Sequence, residues 1–288
     1  MKEQSYILSG AIGTEIQRRG FQTTLPLWSA QALFDAPHIL LEIYRDYIAA
    51  GATVITTNTF RTQRRTLQKV GLAHEFERIN KLAVDLARKA IENSGKKILV
   101  AASVTTLEDC YRPDLVPTLD TCLAEHTAQI DLLSSLPIDF LLLETFNSVD
   151  EAEMASQAAA SKKPFCVSFT VDVQGQILSG DTWAHAYDRL LPYKPDAILV
   201  NCAPPSSVEK AFEQIVPLAK RAGISFGAYA NGEGEAGSED GWDFSQKTGT
   251  MVTEYAMRCK EWHKLGAAII GGCCGTSPEY TRAYSKSF

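Results

Sequence analysis

Short apolar runs that end in polar residues alternate with longer amphipathic segments along the whole chain. Apolar runs of this length predict strands that are buried on both faces, as in a parallel sheet. The chain contains eight of them, at residues 6–9, 53–58, 97–103, 140–144, 164–169, 197–202, 225–231 and 267–274.

Helical periodicity fills the segments between these runs, for example at 38–50, 74–93, 150–161, 206–222 and 250–265. Strands that alternate with helices predict an α/β fold with a parallel sheet. Eight such units within 288 residues predict a (β/α)8 TIM barrel that forms a single domain over residues 1–288. A doubly wound open sheet is the alternative, but the glycine spacing at 10–13 does not match a dinucleotide-binding fingerprint.

A barrel of this kind places its functional residues at the carboxyl ends of its strands. The polar residues that end the eight runs are therefore expected to meet at one mouth, although they are far apart in sequence. These residues are Ser9, Asn58, Ser103, Glu144, Ser168, Cys202, Asn231 and the pair Cys273 and Cys274.

Three of the strand-end residues are cysteines, and two of these are adjacent. Cys273 and Cys274 are flanked by three glycines, which allow close approach of backbone and ligand. Three thiolates at the ends of two strands, with Cys202 as the third, suit a soft cation, and Zn²⁺ with one open position fits best. The alternative is that all three are small buried apolar residues. Asn231 is a candidate for a weak fourth ligand.

Charge and cysteine usage restrict the classes of function. A formal net charge of −6 and a pI near 5.5 argue against nucleic-acid or anionic membrane partners. No apolar run approaches the length that a membrane span requires. Seven cysteines at wide spacing favour a reducing cytoplasm over a disulfide framework. Cys110, Cys122, Cys166 and Cys259 are interpreted as ordinary thiols.

Two further residues are candidates for substrate contacts. Glu144 ends a strongly apolar strand, where an unpaired charge is costly, so it is expected either to hold a substrate ammonium or to pair with a barrel Lys or Arg. Trp28 lies in the loop after the first strand and could attract a ligand cation through its π face, or could simply pack the loop. Asn58 is a candidate polar partner in the mouth, or a turn residue.

The chain combines Asn201-Cys202 with Gly-Gly-Cys-Cys-Gly-Thr at 271–276, and this combination resembles the zinc-dependent homocysteine S-methyltransferases. The resemblance extends over residues 8–278, nearly the whole chain. Its less specific parts are Gly10-Ala11-Ile12-Gly13-Thr14-Glu15, Leu27-Trp28-Ser29-Ala30, Gly51-Ala52, Thr57-Asn58-Thr59-Phe60 and Glu144-Thr145-Phe146.

The resemblance implies an enzyme that transfers a methyl group to the thiol of homocysteine, or to selenohomocysteine, and so forms methionine. It implies that Cys202, Cys273 and Cys274 activate the substrate thiol through Zn²⁺ and that Glu144 binds the amino group. Relatives with sulfonium or betaine donors have a tryptophan in a place similar to Trp28, so S-methylmethionine or another small onium compound is the expected donor. Homocysteine and this donor are the expected partners, and the oligomeric state is left open.

The chain departs from the family pattern where Ser9 stands in place of an aspartate. That carboxylate would help to shape the amino-acid pocket, and Ser9 is expected to line the pocket instead. A divergent barrel that binds zinc or amino acids without turnover is therefore kept as an alternative. Use of betaine or of a corrinoid partner protein, and a zinc hydrolase on the same barrel, are the others.

Overall fold

The structure is a computed structural model, and it describes residues 5–92, 94–236, 242–244 and 250–288. Eight strands form one parallel sheet in the order β1-β10-β7-β6-β5-β4-β3-β2. A parallel bridge between Leu8 and Val54 joins β1 to β2, so the sheet closes into a barrel. The predicted (β/α)8 TIM barrel is therefore confirmed.

The barrel strands are β1 (Tyr6–Ile7), β2 (Val54–Thr56), β3 (Leu99–Val104), β4 (Phe140–Phe146), β5 (Phe165–Phe169), β6 (Ala197–Asn201), β7 (Ser225–Ala230) and β10 (Ile269–Gly272). A small antiparallel hairpin of β8 (Glu235–Ala236) and β9 (Trp242–Asp243) lies between the last two.

The helices within the described ranges are α1 (Gly13–Arg18), α2 (Gln31–Asp35), α3 (Pro37–Ala50), α4 (Arg64–Gln68), α5 (Phe76–Ile91), α6 (Leu119–Ser135), α7 (Val149–Ala159), α8 (Trp183–Leu190), α9 (Pro205–Ala222), α10 (Val252–Lys264) and α11 (Pro278–Ser285).

Local sequence explains where the longer helices begin and end. Pro37 occupies the first turn of α3, where its missing N–H costs nothing, and Gly51 ends the helix in the left-handed region with φ 111°. The same arrangement recurs in α9, which begins at Pro205 and ends before Gly223. These endings turn the chain back toward the next barrel strand.

The strands alternate between two hydrophobic layers. In β4, Leu141 and Leu143 belong to the large core between the sheet and the helices. Phe140 and Leu142 point the other way and pack with residues such as Leu199 inside the barrel. Because side chains alternate with period two, Glu144 follows Leu142 onto the inner face. The interior filling therefore ends in polar residues at the carboxyl side of the barrel.

Element boundaries differ from the sequence prediction by a few residues. Strand β4 continues two residues past Glu144, with an irregular register between Leu143 and Phe146. Strand β10 ends at Gly272, so the paired cysteines lie in the following turn. The helix expected at 74–93 is α5, and residue 93 lies outside the described residues.

Two expectations that follow from composition can be compared with the structure. All seven cysteines are free, as expected for a chain without a disulfide framework. Over the described ranges, no helix has the length and apolar character that crossing a membrane requires.

Candidate active site

A cavity of about 240 Å³ opens at the carboxyl ends of the strands. Its wall includes residues from the ends of β1, β2, β4, β6, β7 and β10 and from the loops that follow them. Most of the strand-end residues singled out in the sequence lie on it, namely Ser9, Asn58, Glu144, Cys202, Cys273 and Cys274, and so does Trp28.

Three sulfur atoms meet on one side of this cavity. The Sγ atoms of Cys202, Cys273 and Cys274 all lie within 4.8 Å of one another, and those of Cys202 and Cys274 are 3.8 Å apart. Strands β6, β7 and β10 are neighbours in the barrel, which brings the residues that follow β6 and β10 together. Within the described residues, neither a fourth cysteine nor a histidine joins the three sulfurs.

The turn after β10 is held in place by backbone and side-chain hydrogen bonds. Cys273 N donates to the Ala230 carbonyl at 2.7 Å, and the Thr276 hydroxyl donates to the Cys273 carbonyl at 2.7 Å. Gly275 has φ 78°, and a Cβ at this residue would lie 2.1 Å from the Glu233 carbonyl oxygen. Glycine is therefore required where the chain turns away from the sulfurs.

Cys202 adopts a left-handed conformation that is rare for a residue with a Cβ, with φ 53°. Asn201, the residue before it, binds the backbone N–H and the hydroxyl of Thr145, at 3.1 and 2.7 Å, and accepts a hydrogen bond from Ser168. Thr145 is also left-handed, with φ 62°. Such strain persists only where surrounding contacts enforce it, and here it aims residues of β4 and β6 at the cavity.

The three thiols differ in acidity because they hydrogen-bond to one another. Hydrogen bonds with Cys202 and Cys274 hold the pKa of Cys273 well below its usual range, and the pKa values of those two partners are raised. The cluster therefore favours a single negative charge when no cation is present. The Tyr111 hydroxyl lies 3.0 Å from Cys202 Sγ and covers one side of the cluster.

Glu144 is buried and has hydroxyl partners in place of a cation. Ser103 donates a short hydrogen bond to one carboxyl oxygen, and Tyr229 donates to the other at 3.1 Å. Burial raises the pKa of Glu144 to about 7 in spite of these two hydrogen bonds. No Lys or Arg of the described ranges forms an ion pair with it, which disfavours the structural salt bridge considered above. An incoming ammonium would supply the missing charge.

Trp28 begins a short 3-10 helix and lies on the cavity wall. Its ring packs edge-to-face against Phe60, with 5.8 Å between ring centroids. A Cβ on Gly13 would come within 2.5 Å of the Trp28 ring, so the glycine lets the indole lie against the loop after β1. An aromatic wall thus faces the cavity that the sulfurs also line.

The remaining predicted residues are placed differently. Ser9 lines the cavity and its hydroxyl accepts a hydrogen bond from Thr56 N at 3.1 Å. Asn58 also lines it, and its side-chain amide donates to the Ser29 carbonyl. Ser103 is not on the wall and acts through Glu144. Asn231 is also off the wall, so its role as a weak metal ligand remains a prediction.

Three wall residues were not predicted from the sequence. Tyr229 was detectable in principle, since it lies on the inward face of β7 by the period-two pattern. Tyr111 and Arg61 lie in loops, where no periodicity indicates the direction of a side chain. Both come to the cavity through the path of the chain after β3 and β2.

The fold and the site together define a (β/α)8 barrel with a thiol cluster and a buried carboxyl group at its mouth. Cysteine sulfurs at this spacing can hold a soft metal ion, and three of them leave a coordination position for a substrate.

Comparison with known proteins identifies the family. The profile of the homocysteine S-methyltransferase family matches residues 6–288, and the chain therefore belongs to that family. The sequence is 28% identical over 309 residues to homocysteine S-methyltransferase 4 of Zea mays, covering 98% of this chain and 88% of that protein. It is 26% identical over 313 residues to selenocysteine Se-methyltransferase of Brassica oleracea var. italica, covering 97% and 88%.

Among solved structures, the chain resembles the metallated form of the homocysteine methyltransferase MmuM from Escherichia coli. The TM-score is 0.84 at 25% identity, over 100% of this chain and 97% of that one. The predicted class of enzyme, a methyl-transferring transferase, is confirmed.

We predict that the purified protein binds about one soft metal ion per chain and that Cys202→Ala, Cys273→Ala or Cys274→Ala abolishes most of this binding. Each substitution removes one of three sulfurs that lie within 4.8 Å of one another. Metal analysis after gel filtration is the measurement. Cys259→Ala, a buried thiol in α10, is the matched control and should keep full metal content. Full retention in Cys273→Ala would contradict the three-sulfur site.

Proposed function

We propose that this protein transfers a methyl group from a small onium donor, S-methylmethionine being the best candidate, to the thiol of L-homocysteine, with Zn²⁺ as its metal. The observation that carries the proposal is one cavity lined both by three clustered sulfurs and by a buried carboxyl group without a cationic partner. The family membership supports homocysteine as acceptor, and selenohomocysteine is a close analogue.

The residues fit the proposed metal. Three cysteine sulfurs, one of them already acidic, are soft ligands that suit Zn²⁺ better than a hard cation. Zn²⁺ bound there would supply the positive charge that keeps an acceptor thiol deprotonated near neutral pH.

The amino-acid end of the acceptor is matched by Glu144. Its carboxylate can accept hydrogen bonds from an ammonium while Ser103 and Tyr229 keep it oriented. Binding of the ammonium would offset the burial that now raises the pKa of this group. The thiol of the same molecule would then extend toward Cys202 and Cys273 across the cavity.

The methyl transfer is a single displacement. The acceptor sulfur forms a bond to the methyl carbon while the bond from that carbon to the donor sulfur breaks, and the electron pair of the broken bond stays on the donor sulfur. The acceptor proton has passed to solvent beforehand, so thiolate and sulfonium charges disappear together. Trp28 and Phe60 would exclude water from this step, which strengthens the remaining charge interactions.

The test of the proposal is donor profiling with zinc-loaded protein and L-homocysteine. We predict that methionine forms with S-methylmethionine, because the aromatic wall accommodates a sulfonium, and that Cys273→Ala is inactive while it remains folded. Turnover with betaine alone, or only after addition of a corrinoid protein, would replace the donor. Amino-acid binding without turnover under any of these conditions would favour a binding barrel, for which Ser9 is the main sequence argument.

A second prediction concerns Glu144 and pH. Because burial raises the pKa of Glu144 to about 7, the group is largely neutral below that pH and charged above it. The charged form binds an ammonium, so affinity for L-methionine, which has no thiol to titrate, should rise about tenfold between about pH 6 and 8. Calorimetry on the zinc-loaded protein is the measurement.

Glu144→Gln should remove this pH dependence and weaken binding by about 1.5–3 kcal/mol at the upper pH, with normal zinc content. Ser103→Ala is the matched variant: it removes one hydrogen-bond donor from the carboxylate and leaves the charge in place. It should preserve a pH-dependent affinity. A flat profile in the wild type would argue against an ammonium at Glu144.

A third prediction concerns Trp28. Cation–π attraction is worth about 0.5–2 kcal/mol, so Trp28→Ala should raise the KM of the onium donor a few-fold to some tens-fold. Trp28→Phe should raise it less, and the KM of homocysteine should change little in both. Steady-state kinetics with each substrate varied in turn provide the values. Equal effects on both substrates would indicate that Trp28 only packs the loop against Gly13 and Phe60.

A further inference from the structure

Arg61 brings a positive charge to the cavity wall, and the mechanism above does not use it. Its Nε atom is buried and has no hydrogen-bond acceptor. In the described part of the chain, no carboxylate forms an ion pair with its guanidinium group, although Asp109 lines the same cavity. A buried guanidinium N–H without an acceptor is costly, so an anionic ligand at this point would be stabilised.

The position of Arg61 links it to the aromatic wall. Arg61 Cζ lies 5.8 Å from the centroid of the Phe60 ring, and Phe60 packs edge-to-face on Trp28 at 5.8 Å between centroids. Trp28, Phe60 and Arg61 therefore form one continuous surface from aromatic rings to guanidinium. Glu144 belongs to a separate group of residues, with Ser103 and Tyr229 as its partners.

We propose that Arg61 forms a carboxylate subsite for the methyl donor, so that the site selects onium compounds that carry a carboxylate on a short carbon chain. The proposal rests on the proposed function and adds the class of donor. The guanidinium group offers paired N–H donors that match a carboxylate in a planar, two-point contact. The onium group of the same molecule then lies over Trp28 and Phe60.

Charge favours this assignment over two others. An onium cation without a carboxylate would be repelled by the nearby guanidinium group, whereas a zwitterionic donor satisfies both ends of the wall. If Arg61 instead held the carboxylate of homocysteine, or only balanced the charge of the thiolates, its loss would alter acceptor binding or metal content. Those outcomes are measurable separately from donor binding.

The experiment compares three sulfonium donors with zinc-loaded wild type, Arg61→Gln and Arg64→Gln at saturating homocysteine. S-Methylmethionine and dimethylsulfoniopropionate carry a carboxylate, and trimethylsulfonium does not. We expect Arg61→Gln to lower kcat/KM for the first two about ten- to hundredfold and to leave trimethylsulfonium unchanged or improved. Arg64 is exposed and off the cavity wall, so Arg64→Gln should behave as wild type.

Calorimetric binding of the same three donors, without homocysteine, provides a readout that does not depend on turnover. If no donor yields methionine, the proposed function is wrong, but carboxylate-dependent binding that is lost in Arg61→Gln still supports the subsite. The subsite is overturned if Arg61→Gln affects all three donors equally, if it weakens homocysteine or lowers zinc content instead, or if wild type binds none of them. Thermal melting of each variant establishes that it is folded.

Discussion

The convergence of three cysteine sulfurs within 4.8 Å is the constraint on which the rest of the site depends. It requires that the strands before them be close neighbours and that the chain leave these strands abruptly. Barrel closure satisfies the first condition, because β7 alone separates β6 from β10. The left-handed backbone of Cys202 and the glycine turn around Cys273 and Cys274 satisfy the second. The strain at Cys202 is tolerated because Asn201 is hydrogen-bonded to a neighbouring strand.

The interior of the barrel then determines how charge is managed. Below the mouth the inner layer is apolar, so a carboxyl group there must find hydrogen bonds or a counterion. Glu144 has two hydroxyl donors and no cation in the described structure, which leaves its pKa raised and its charge incompletely balanced. A residue in this condition is well suited to capture an ammonium, because the ligand supplies what the protein leaves out.

The opposite wall follows a different electrostatic logic. Trp28 and Phe60 present π faces and edges that tolerate a cation without offering a nucleophile, and Arg61 adds a positive charge beside them. A donor that is both cationic and anionic fits such a wall better than a simple cation. The cavity thus separates the two reactants by charge, with the acceptor amine on the carboxyl side and the donor carboxylate on the guanidinium side.

The sequence by itself determined the barrel, the three sulfurs and the importance of Glu144. These depend on local periodicity, on glycines around paired cysteines and on the cost of a charge in an apolar strand. Only the tertiary structure decided that Ser103 and Tyr229 are the partners of Glu144, because register sets which side chains of neighbouring strands face each other. It also decided that Tyr111 and Arg61 reach the cavity. Both lie in loops, where no repeating pattern of burial indicates direction, so their positions depend on how the closed barrel guides the chain between strands.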